Sequence, residues 1–111
     1  MTRFTGVRYE TEFKKLLQSH GYYVLNLGQN EAGDLIAFYN SHPIIFEIKS
    51  VKGNEFRFNR KTKEQWKKLK TDQQFAQVFY AVKFLKRGWK LYPVPKEPEP
   101  LRYEEGAPLD L

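Results

Sequence analysis

Residues 33–51, GDLIAFYNSHPIIFEIKSV, hold two apolar runs, Asp34 to Tyr39 and Ile44 to Val51, separated by Asn40, Ser41, His42 and Pro43. Aliphatic and aromatic runs divided by a turn cluster read as the two strands of a β-hairpin. Side chains alternate along a strand, so Glu47 and Lys49 share one face with Ile45, while Ile44, Phe46 and Ile48 take the other, the face expected in the core. Asp34 opens the neighbouring strand, and a hairpin of this length brings its carboxylate near Glu47 across the ladder. Close carboxylates repel. A divalent cation between them relieves the repulsion, and all-oxygen donors suit Mg²⁺ or Mn²⁺. The competing reading is an exposed strand on which Glu47 and Lys49 form an ordinary ion pair worth little to stability.

Outward from this hairpin, Gly6 to His20 reads as a helix, since Phe13, Leu16, Leu17 and His20 recur with helical spacing, and Gly21 ends it. Glu10 lies on the apolar side of that helix, where it needs a partner, either Lys14 one turn on or a site facing the sheet. Tyr22 to Leu27 reads as a strand and residues 28–33 as a polar loop. After the hairpin, Thr62 to Gln74 reads as a helix with Thr62 as its N-cap and Gln65 beside Trp66. Gln77 to Phe84 and Trp89 to Val94 read as strands joined through Gly88. This order predicts an α/β fold with a mixed central sheet of about five strands flanked by helices. A single domain is expected over residues 1–94. Residues 95–111, with four prolines and the acidic residues Glu97, Glu99, Glu104 and Glu105, are expected to form an extended Pro-rich acidic tail.

Composition narrows the chemistry. A length of 111 residues, 41% hydrophobic, supports one core. The formal net charge of +6 points to a polyanionic partner. There is no cysteine and there are two histidines, His20 and His42, which excludes thiolate chemistry and a histidine-rich zinc site and again favours hard cations. The sequence shows no Gly-rich phosphate loop and no Ser/His/Asp arrangement. It shows neither an apolar leader nor a membrane span, so the expected location is cytoplasmic, that of the host if the gene is viral.

The order Glu10, Gly33-Asp34, Glu47-Ile48-Lys49 resembles the PD-(D/E)XK nuclease superfamily. Several further stretches are similar to the archaeal-type Holliday junction resolvases within it: Gly6 and Glu10, His20-Gly21-Tyr22, Gly33-Asp34-Leu35-Ile36, Phe46-Glu47-Ile48-Lys49, and Tyr80-Ala81-Val82-Lys83-Phe84-Leu85 with Gly88-Trp89. The resemblance spans about residues 4 to 94 and implies a restriction-endonuclease-like fold. It also implies a homodimer that cuts four-way DNA junctions by paired, Mg²⁺-dependent nicks, with Mn²⁺ in substitution and 5′-phosphate products. Carried onto this sequence, Asp34, Glu47 and the Ile48 carbonyl become metal ligands, Glu10 binds the metal directly or through water, and Lys49 aligns the attacking water. Arg3, Arg8 and Lys14 near the site, and Arg57, Arg60, Lys61, Lys63 and Lys67 further on, become candidate DNA contacts. Phe75, Phe79 and Trp89 become candidate dimer contacts. Two departures stand out: Gly33 occupies a position that is often Pro, and Thr11 one that is often Arg, a charge that Arg8 or Arg3 would have to supply. The same residues leave room for a nuclease acting on other DNA and for a binding module without catalysis.

Overall fold

The structure, a computed structural model, describes residues 3–27 and 34–109, with side chains from Arg8 onward. The elements run α1 (Arg3–Ser19), β1 (Tyr23–Asn26), β2 (Leu35–Tyr39), β3 (His42–Val51), β4 (Glu55–Phe56), α2 (Arg60–Asp72), β5 (Gln77–Phe84), β6 (Gly88–Pro93), β7 (Leu101–Arg102), a 3₁₀ turn (Tyr103–Glu105) and β8 (Ala107–Pro108). Six strands form the main sheet in the order β1-β2-β3-β5-β6-β8, and β4 pairs with β7 beside it. The polar loop expected at 28–33 lies outside the described residues. No helix among the described residues is long and apolar enough to cross a membrane.

The hairpin is tighter than its sequence suggests. Asn40 and Ser41 alone make the turn, both at positive φ (50° and 69°), the conformation that matches the twist of two paired strands. Tyr39 therefore pairs with His42, and β3 begins two residues earlier than expected, its Pro43 opposite Phe38.

Helix α2 also starts earlier. Its N-cap is Asn59, whose side chain accepts from the Thr62 N–H (2.9 Å), while the Thr62 hydroxyl accepts from the Asn59 N–H (2.7 Å). Thr62, expected as the cap, is the return partner of a capping box, which satisfies two otherwise orphaned donors.

Strand β3 pairs antiparallel with β2 and parallel with β5. A parallel pair needs a crossover, and α2 supplies it. This corrects the expectation that only one face of β3 is apolar and covered. On one face Phe46 and Ile48 pack with Phe13 and Leu17 of α1; on the other Ile45 and Val51 pack with Leu69 and Trp66 of α2. Glu47 consequently retains 2% of its exposure, a burial that an exposed-strand ion pair does not undergo.

The segment after Val94 is not an extended tail. Val94 and Leu101 are buried in the α2-side core, β7 pairs with β4, and β8 adds the sixth strand at the edge beside β6. The Trp66 indole N–H donates to the Pro95 carbonyl (2.8 Å) and the Tyr92 hydroxyl donates to the Arg102 carbonyl. Prolines do not prevent this because an edge strand leaves one row of N–H groups unused. Leu101→Ala should therefore destabilise the protein by about 2–4 kcal/mol in urea unfolding, the cost of a core truncation. The neighbouring exposed Glu99→Gln should stay within about 0.5 kcal/mol.

Candidate metal centre

Register places the two central carboxylates. Leu35 pairs with Phe46, and Asp34, one residue before it, donates its N–H to the Phe46 carbonyl (2.9 Å), which sets Asp34 across from Glu47 on the same face. The two carboxyl groups are in hydrogen-bond contact. Asp34 Oδ2 also accepts from the Ile48 N–H (2.6 Å), so Ile48, whose carbonyl is the expected further ligand, borders the pair.

Electrostatics register the crowding. Burial, then the charge of Glu47 and the hydrogen bond with it, push the Asp34 carboxyl up to about 7; the Ile48 N–H and the Lys49 ammonium pull the other way. The Tyr80 hydroxyl, on the adjacent β5 residue paired with Glu47, is buried without a hydrogen-bond partner among the described residues, and burial and the Glu47 charge raise its pKa. The fold thus holds oxygen donors against their own repulsion, a cost that a hard divalent cation would offset. On this observation Asp34 and Glu47 fit such an ion.

Lys49 lies two residues along β3 with a side chain only 16% exposed. Its Nζ is 2.8 Å from Gln65 Oε1 of α2 and 3.4 Å from Glu47 Oε2. The three residues Asp34, Glu47 and Lys49 therefore meet as the sequence suggests. Glu10 stands at one remove: Asn26 Nδ2 donates to its Oε1 (2.9 Å), and Lys14 Nζ donates to the other end of the same amide (2.6 Å). Burial and the charge of Asp34 raise the Glu10 pKa, so it lies within electrostatic reach of the pair. Among the described residues, no three acidic or histidine side chains converge into one cluster.

The candidate DNA contacts belong to α1 and to the segment from Arg57 through α2, helices that cover opposite faces of the sheet. Arg8 is exposed beside the ring of Tyr9, and Lys14 is committed to Asn26; Arg3 belongs to α1, but its side chain lies outside the described residues. Arg60, Lys61, Lys63 and Lys67 are exposed on α2, with Lys67 paired to Glu64 (3.3 Å), and Arg57 is exposed and paired to Glu55. Phe79 stacks on Phe46 and Trp89 packs on Phe13 within the monomer, whereas Phe75 is 79% exposed. Sequence reasoning gave no role to Asn26 or Gln65. The legible signal for Gln65 was a polar residue within the stripe Thr62, Gln65, Trp66, Leu69 that faces the sheet.

Comparison with known proteins bears on the family and the fold. A family model described as archaeal Holliday junction resolvase matches residues 1–104. The 1.6 Å structure of Hjc, a Holliday junction resolvase from the archaeal hyperthermophile Archaeoglobus fulgidus, superimposes with a TM-score of 0.76 at 18% identity, covering 95% of this chain and 92% of that one. No curated protein matches the chain.

A carboxyl raised from 3.8 to about 7 keeps its proton in the folded chain where the unfolded chain has lost it. Its effect on stability is therefore unfavourable as pH rises from about 4 to about 7, and constant above that. Without divalent cation, the protein should lose stability over this window, and Asp34→Asn, which retains an acceptor for the Ile48 N–H, should gain about 1–3 kcal/mol over wild type at pH 8. Thermal unfolding with EDTA, then with excess Mg²⁺, reads both effects; Mg²⁺ should stabilise wild type and leave Asp34→Asn unmoved.

Proposed function

The chain belongs to the archaeal Holliday junction resolvase family, and on that premise we propose that it cuts four-way DNA junctions by divalent-cation-dependent hydrolysis at Asp34, Glu47 and Lys49. The observation that carries this reading is the buried Asp34–Glu47 pair, held together although burial and mutual repulsion lift Asp34 to about 7. The cation is assigned as Mg²⁺, with Mn²⁺ in substitution, because every donor at the pair is oxygen. When bound, it supplies charge neutralisation at the scissile phosphate and a more acidic water.

The chain's own residues do the rest. The Ile48 N–H orients Asp34, burial fixes Glu47, and the Ile48 carbonyl supplies a further oxygen. Lys49 is assigned to the place where the phosphate and attacking water would lie. There it aligns the water in line with the leaving oxygen and stabilises negative charge that grows during attack. Glu10, its carboxylate braced by Asn26, would reach the metal directly or through water. A free 5′-phosphate is the product assigned to this reaction.

A junction presents phosphate geometry more than base sequence, so recognition is assigned to the basic residues of α1 (Arg3, Arg8, Lys14) and to Arg57, Arg60, Lys61, Lys63 and Lys67. Two symmetric cuts call for two copies. Exposed Phe75 and Tyr39 (48% exposed) support an apolar contact between them.

The test is a labelled four-way junction incubated with Mg²⁺ beside a linear duplex of the same arms. Wild type should nick the junction symmetrically near its branch point and spare the duplex. Asp34→Asn and Glu47→Gln should lower nicking by about 10³-fold or more while junction affinity at fixed salt changes by less than about threefold. Loss of binding in those variants, with nicking preserved in EDTA, would overturn the assignment.

A further inference from the structure

We infer that Gln65 is the positioning residue for Lys49, acting as a neutral acceptor that keeps the ammonium aimed at the reaction centre when Glu47 is committed elsewhere. The inference rests on the resolvase reading only for its activity readout. Of the two contacts that hold Lys49 Nζ among the described residues, the one to Gln65 Oε1 (2.8 Å) is a full hydrogen bond and the one to Glu47 Oε2 (3.4 Å) is a long ion pair. Glu47 has a competing attachment to Asp34, and a cation at that pair would draw its charge further from Lys49. The amide of Gln65 carries no charge, so it fixes the ammonium without neutralising it.

The placement of Gln65 is built in at three levels. The Asn59–Thr62 capping box fixes where α2 begins, and buried Thr62 and Leu69 fix which face meets the sheet. Gln65 falls one turn after Thr62 and one turn before Leu69, on that same face. Trp66, its neighbour, is tied to the Pro95 carbonyl (2.8 Å) and so resists rotation of the helix about its axis. A polar side chain placed this firmly within an otherwise packing stripe contributes less to the core than Leu or Met would; its use is the bond it makes.

The experiment pairs Gln65→Met, of similar size without an acceptor, with Gln65→Glu, which keeps one. Order of the Lys49 side chain is read by NMR relaxation of its ¹³Cε in the metal-free protein. Gln65→Met should lower that order to the level of exposed lysines and Gln65→Glu should preserve it; equal order in Gln65→Met and wild type would overturn the proposal. On the junction, Gln65→Met should lower kcat by about 10- to 100-fold with affinity unchanged, as misaligned catalytic groups do. In a Lys49→Ala background the same substitution should cost less than about twofold more. A full additional loss there, or weakened junction binding, would mean that Gln65 acts elsewhere. A wild type that cuts no DNA would sink the resolvase reading, and the relaxation data would still decide the role of Gln65.

Discussion

The constraint on which this molecule turns is the confinement of two like charges, Asp34 and Glu47, on one face of a buried strand pair. Register imposes it, because the two-residue turn at Asn40-Ser41 pairs Tyr39 with His42, and every later pair down to Leu35 and Phe46 follows without slack. A slip of one residue would send Glu47 to the α1 face and Asp34 away from it. Burial and the charge of Glu47 raise the Asp34 carboxyl, so keeping the pair together costs the fold stability. Such a cost persists in a chain of this size only where the packing around it is strong enough to bear it.

That packing is two-sided. Helix α1 covers the Phe46 and Ile48 face, and α2 covers the Glu47 face, so the carboxylates sit at the end of a sandwich whose interior is apolar on both sides. Low local polarity strengthens each remaining interaction, including those of the Ile48 N–H with Asp34 and of Gln65 with Lys49. The same burial deepens the repulsion. Core and site are therefore one arrangement: the layers that stabilise the fold also create the field that a cation or phosphate would meet.

The hairpin and the meeting of Asp34, Glu47 and Lys49 were legible because alternation and hairpin pairing are local rules with short reach. Burial of the Glu47 face was not, since nothing in residues 44–51 shows that the crossover to β5 lays α2 across it. Glu10 was legible as a carboxylate on the inner side of α1, but its brace, Asn26, comes from a strand sixteen residues later and follows no pattern. The segment beyond Val94 misled for a related reason. Proline content argues against a central strand and says little about an edge, and the contacts that hold the segment come from Tyr92, Trp66 and β4, residues brought near only by the completed sheet.

The last strands bear on the site through α2. The Trp66 indole N–H donates to Pro95, in the stretch that leads into β7, and Leu101 fills the core beside Leu69, so the chain's final third braces the helix from the side opposite its cap. A helix held at its N-terminus by Asn59 alone could still roll; held also at Trp66, it presents Gln65 to Lys49 in one orientation. A chain cut at Val94 would retain every residue of the Asp34, Glu47 and Lys49 set and lose part of what aims the third of them. The acidic pair depends on strand register and the amine on helix placement, and the two are set by separate parts of the sequence that converge only in the folded protein.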